Sequence, residues 1–253
     1  MILSRLATGR LFCQALLAVA ASALVPGLAR AQVHIQPVLV AFGATQRIAS
    51  VTVSLDPRAA EPMLLQADVL SWSQGLGGES VSANTDDLLI VPPMAELKPG
   101  DTQVFRIALR GGRQRLEEVA YRLILEDVAA PPTEAAGTPG LGVSFRMRHD
   151  LPVLLAPVGQ VVNKFHWKPC PSGAAQACVR VVNAGNRRVS LQSLTLVGNG
   201  WEQTLPFEMV QTVLSGTERE WFVPLAPGQL GLLRGLRVLS VRGETLEAET
   251  AGL

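Results

Sequence analysis

Residue types that carry most enzyme chemistry are scarce in this sequence. It has three histidines, three cysteines and one tyrosine, and aromatics make up 5% of the chain. His34, His149 and His166 stand at no spacing that defines a metal or nucleophile site. No GxSxG, P-loop or Rossmann glycine pattern occurs, and Gly77-Gly78 and Gly111-Gly112 read as plain turns. A copper-binding sandwich would place a His and a Met after a Cys on one loop, yet no His follows Cys178. The sequence therefore points away from catalysis, with no metal and no cofactor expected. One-sided charge is lacking too: the formal net charge is +1, which offers no nucleic-acid surface.

A long apolar run is also missing, apart from the first residues. Met1 to Ala31 has a positive start at Arg5 and Arg10. An apolar stretch follows from Phe12 to Leu24, broken only by Gln14 and Ser22, and then the small-residue signature Ala29-Arg30-Ala31. Val25-Pro26-Gly27 cuts the stretch below the roughly 20 residues of a membrane span, so residues 1–31 read as a signal peptide. The expected mature chain starts near Gln32, is exported, and has no stable membrane insertion. It keeps only Cys170 and Cys178, an even pair in an oxidising compartment, for which a disulfide is the simple expectation. Metal binding is the rival reading, without a His or second Cys pair at zinc-like spacing nearby. The intervening PSGAAQA, with Pro171 and Gly173, suits a hairpin tip.

What the mature chain does have is alternation, in short runs between turn residues, with no amphipathic helical period sustained for three turns. That makes it all-β. Strands are predicted over 33–41, 48–55, 63–73, 87–91, 102–109, 119–127, 143–155, 161–167, 178–183, 189–197, 219–223 and 236–242. So many short strands in about 220 residues suit two sandwiches better than one. Lys98-Pro99-Gly100-Asp101 has the chemistry of a type II turn. Arg106, sharing a face with Val104 and Ala108, is either a solvent-facing charge or, as the favoured reading, a partly buried one paired with Glu117 or Glu118.

The run VSFRMRHDLPVLL, Val143 to Leu155, sets Val143, Phe145, Met147, His149, Leu151 and Val153 on one face and Ser144, Arg146, Arg148 and Asp150 on the other. Before it lies AAPPTEAAGTPGLG, Ala129 to Gly142, whose composition is that of a mobile loop. After it, Pro157 and Gly159 mark a boundary. The division is 1–31 signal peptide, 32–157 first domain and 158–253 second domain.

Asn84 to Gly112, NTDDLLIVPPMAELKPGDTQVFRIALRGG, with Leu116 to Val128, LEEVAYRLILEDV, resembles the periplasmic chaperones of the chaperone-usher pilus pathway. A strand ending in Pro-Pro, a Leu-x-Pro-Gly turn, an Arg-containing strand and a Glu-x-x-x-Tyr strand follow in that family's order. IQPVLVAFGATQRIASVTV and VRVVNAGNRRVSLQSLTL extend the likeness over essentially the whole mature chain. The AYRL and LPV wording is similar to the branch that assembles archaic, spore-coat-U-like pili.

The resemblance implies two immunoglobulin-like β-sandwich domains at an angle with a cleft between them. It implies an ATP-independent periplasmic chaperone that caps pilus subunits by donor-strand complementation and delivers them to an outer-membrane usher. The lent strand is then Val143 to Leu155, and the subunit-binding row is Val143, Phe145, Met147, His149 and Leu151. Better-known members anchor the subunit's terminal carboxylate through two basic residues, whose positions here are Leu39 and Pro152. Arg148, and after it Arg146, share the parity of Pro152 and are the substitute candidates for that anchor. The alternative, a secreted Ig-like pilus or adhesive subunit, is expected to have one incomplete domain.

Overall fold

The computed structural model describes residues 32–111, 115–129, 146–173, 176–226, 229 and 233–250. The signal-peptide reading for 1–31 and most of the 129–142 loop lie outside them. Among the described residues there are seventeen strands and no helix.

The first sandwich packs two sheets. One holds β1 (Val33–Gln36), β3 (Ile48–Leu55), β8 (Thr102–Leu109) and β6 (Leu88–Val91), in that order. The other runs β2 (Val40–Phe42), β10 (Arg148–Leu155), β9 (Val119–Asp127), β4 (Met63–Gln74) and β5 (Ser80–Asn84), with β7 (Met94–Leu97) also on β4. Val51 and Val53 of β3, Phe105 and Ile107 of β8, and Leu123 and Leu125 of β9 meet in one core. Each is a single-parity set, as a sheet with one wet face requires. The predicted run 33–41 is thereby divided. Its first part pairs with β3 and its second with β10, and the switch falls at Pro37, which cannot donate to a ladder.

The second sandwich is one continuous ribbon in the order β14 (Trp201–Val213), β13 (Val189–Gly198), β16 (Leu233–Ser240), β17 (Thr245–Thr250), β11 (Phe165–Cys170), β12 (Gln176–Asn183) and β15 (Glu218–Pro224). It wraps a core of its own that includes Leu191, Leu194, Leu196 and Trp221. Cys170 and Cys178 lie directly opposite on the β11–β12 hairpin and form a disulfide, as expected.

Several contacts join the sandwiches. Ala120, Leu154 and Leu214 form a small buried cluster with Trp72 against it. The Glu118 carboxylate, 4% exposed, accepts from Arg188 Nη1 at 2.6 Å and from the Arg188 backbone N–H at 3.2 Å. Gln74 Oε1 accepts from the Leu214 N–H, and its Nε2 donates to the Thr212 carbonyl, both at 2.9 Å. Beside Gln74, the β4–β5 turn receives the Arg219 guanidinium, which donates to the Gly77 carbonyl at 3.2 Å. A Cβ on Gly78 would stand 2.0 Å from that guanidinium, at φ +86°, so only glycine fits there. These contacts correct one expectation. Glu118 serves Arg188 and Arg187, and Glu117 accepts from Ser215, while Arg106 is exposed and pairs with neither.

Turn chemistry behaves as its residues require. The Asp101 N–H donates to the Lys98 carbonyl at 2.8 Å, and Gly100 takes φ +91°. The single tyrosine, Tyr121, lies buried in β9 and donates to Asp87 Oδ2 at 2.8 Å. Burial first, and that hydrogen bond next, push the phenol far above its ordinary value.

Candidate functional site

β10 is paired unequally on its two sides. Against β9 it pairs over its whole length, from Arg148 opposite Glu126 to Leu155 opposite Val119. Against β2 it pairs in parallel, and only over Val153 to Leu155. Among the described residues, the edge from Arg148 to Pro152 therefore has no neighbouring strand. An unpaired edge next to a packed core is a template for another chain.

The structure divides the predicted binding row. Val143 and Phe145 lie outside the described residues. Met147 is 45% exposed, and its carbonyl accepts from the Asp127 N–H at 3.0 Å, so it continues the β9 pairing with its side chain in solvent. His149 is half-buried, with Nε2 enclosed and without a hydrogen-bond partner. Leu151 belongs to the first sandwich's own core: it lies opposite Leu123 and is 8% exposed. Burying a leucine there contributes about 1.5–3 kcal/mol to this sandwich's own folding, so Leu151 is not free to fill a second chain.

On the opposite face, Arg148 forms an exposed 3.5 Å pair with Glu126, and Arg146 is exposed. Lower on that face stands a cation that sequence reasoning missed. Arg122 lies opposite Pro152 in the register, and the parallel pairing of Val153 with Val40 brings Leu39 to the same level. Its guanidinium lies 3.6 Å from the centre of the Trp72 ring and 3.5 Å from Asp150 Oδ1, and its Nε is enclosed with no acceptor. A planar cation held on an aromatic face, with donors unused, is suited to binding a carboxylate. The sequence signal was an arginine on the same face as Ala120 and Ile124, both buried, within an otherwise apolar strand. Beside it a shallow groove runs over the sheet, lined by Asp68, Leu70, Asn84, Ile124, Glu126 and Arg148. His, Cys, Asp and Glu side chains converge among the described residues only at Cys170, Cys178 and Glu220, where the disulfide occupies both sulfurs.

Comparison with known proteins places this arrangement in a family. No curated protein matches the sequence. Among solved structures, the chain is similar to one chain of the CsuC–CsuE chaperone–tip adhesion subunit pre-assembly complex from the archaic Csu pili of Acinetobacter baumannii. That likeness has TM-score 0.63 and 17% identity, over 88% of this chain and 100% of that one. The class 5 fimbriae chaperone CfaA is similar at TM-score 0.62 and 11% identity, over 87% and 100%. The Salmonella enterica SafA pilin–SafB chaperone complex contains a chain similar at TM-score 0.53 and 16% identity, over 88% and 98%. These show a shared fold of two immunoglobulin-like sandwiches. The family model described as pili and flagellar-assembly chaperone, PapD N-terminal domain, matches residues 32–160. Since that match takes in the open-edged strand and more than half of the sequence, the chain belongs to the pili and flagellar-assembly chaperones.

Proposed function

We propose that this protein is a periplasmic, ATP-independent chaperone of the archaic pilus branch. It lends the strand leading into and including the upper part of β10 to an incomplete pilus subunit, and passes the capped subunit to an outer-membrane usher. The domain division at 157/158 and removal of residues 1–31 belong to this reading. The observation that carries it is the edge from Arg148 to Pro152, which β2 leaves open. Main-chain hydrogen bonds along that edge supply affinity. Val143, Phe145 and Met147 supply the apolar side chains that fill the subunit's groove, and His149 sits at the rim between groove and chaperone core. Because the Trp72 ring holds the Arg122 guanidinium in place opposite Pro152, we assign the subunit's terminal carboxylate to Arg122, where it competes with Asp150, and leave Arg148 and Arg146 as solubilising charges at the edge.

The test is Phe145→Asp combined with Met147→Asp in the mature protein. The variant keeps the native circular dichroism spectrum and melting temperature but no longer forms a one-to-one complex with a co-expressed pilus subunit. A folded double variant that binds its subunit normally overturns the assignment of the lent strand.

A further inference from the structure

Two backbone hydrogen bonds fix which side of β10 each residue serves. The Asp127 N–H donates to the Met147 carbonyl at 3.0 Å, so the backbone groups of residues 147, 149, 151 and 153 turn toward β9. The Ala156 N–H donates to the Phe42 carbonyl at 3.0 Å, so residues 150, 152 and 154 turn toward the β2 side. The open edge is thus served by the N–H groups of Arg148 and Asp150. The next position down that should serve it is Pro152, which has no N–H. β2 begins at Val40, opposite Val153, immediately below the missing donor.

We infer that Pro152 is the register stop of this edge: it ends the chaperone's own β2 from below and ends any added strand from above. The inference rests on the strand-addition reading and specifies where the added strand must stop. Sliding a partner strand by one residue turns every side chain to the wrong face. Sliding it by two keeps the parity, so side chains alone do not forbid it. A slide by two toward the base of β10 would bring a partner carbonyl to the proline ring instead of to a donor. Pro152 removes that alternative register and leaves the partner's side chains level with the row ending at Met147. Proline is tolerated here because its missing N–H faces an edge, whereas in the middle of a sheet it would leave a neighbouring strand's carbonyl without its donor.

The test uses Pro152→Val in the full mature chain, with Pro152→Ala as a second variant should the branched side chain impair folding; both restore the N–H. In the free protein, the new amide at position 152 is expected to exchange about tenfold more slowly than that of Asp150, the factor for roughly one net backbone hydrogen bond. For the partner, Arg148→Cys is combined with single cysteines walked along the edge strand of the pilus subunit that purifies one-to-one with the native chaperone. With Pro152 in place, disulfide trapping is expected at one subunit position; in the Pro152→Val variant, at that position and a second one two residues along. A variant that traps only the original position, with an amide at 152 exchanging as fast as that of Asp150, overturns the stop. If the complex forms but no subunit position is trapped even with Pro152 present, the strand-addition reading itself fails.

Discussion

The joint between the sandwiches gives a prediction whose size can be worked from single contacts. Glu118 is 4% exposed and holds Arg188 by a charge-assisted hydrogen bond at 2.6 Å, with Arg187 at 3.8 Å. Its other oxygen accepts the Arg188 backbone N–H at 3.2 Å. Glu118→Ala strands both arginines and that N–H. Removing one partner of a fully buried pair costs about 3–5 kcal/mol. Arg188 keeps 20% of its side chain exposed, so water restores part of the loss, and about 2–3 kcal/mol remains. In a chain of this size that lowers the melting temperature by about 5–10 °C if the sandwiches unfold together. Glu118→Gln keeps one acceptor but turns its NH2 donor toward either the Arg188 guanidinium or the Arg188 backbone N–H, so it should recover only part of that loss. The assay is thermal unfolding of the mature protein followed by circular dichroism, in parent and both variants. Because the contact spans the two sandwiches, the alanine variant should also broaden or split the transition. A single transition displaced by less than about 1 °C in Glu118→Ala would show that the buried carboxylate does not hold the joint.

Further predictions rest on separate contacts. Reducing the Cys170–Cys178 bond, or replacing both cysteines by serine, opens a loop of sequence separation 8 and should cost about 2.5 kcal/mol in a denaturant titration, leaving the first sandwich unaffected. Tyr121→Phe loses one hydrogen bond to exposed Asp87 and should cost about 1 kcal/mol. The phenol's value is raised in the folded state, so its contribution is complete below the ordinary 10.0 and is lost as pH rises through the higher folded value. Parent protein should therefore lose stability in strong alkali that the phenylalanine variant does not lose, as read by urea unfolding at successive pH values. Arg122→Met should preserve packing on Trp72 while weakening subunit binding by roughly tenfold or more in titration calorimetry, whereas Arg148→Met should leave binding near parent.

The strands most legible in the sequence are those with one dry and one wet face. The predictions 48–55, 102–109 and 119–127 coincide with β3, β8 and β9, because Val51, Val53, Phe105, Ile107, Leu123 and Leu125 recur at the strand period. β14 was missed because Pro206 interrupts it, and it survives as an edge strand whose partner β13 shifts register between Leu191 and Ser193. β5 and β17 were missed because SVSAN and TLEAET, though alternating, carry only one large apolar residue each, too few to mark a dry face. The apolar row from Val143 was visible, but its lower limit was not. Leu151 has the same parity as Met147, and only the position of β9 shows that Leu151 enters the chaperone's own core. Arg122 was hidden for a similar reason: its place opposite Pro152 is a pairing across thirty residues of sequence, which local spacing does not encode. The open edge likewise depends on where β2 stops, a long-range fact.

The most direct measurement is residue-resolved amide exchange of the mature chaperone, free and in its one-to-one complex with a pilus subunit. The amides of Arg148 and Asp150 should exchange freely in the unbound protein and become strongly protected in the complex, while those of Val153 to Leu155 change little. Protection appearing instead along β14, with Arg148 and Asp150 still exchanging freely, would contradict strand addition at β10.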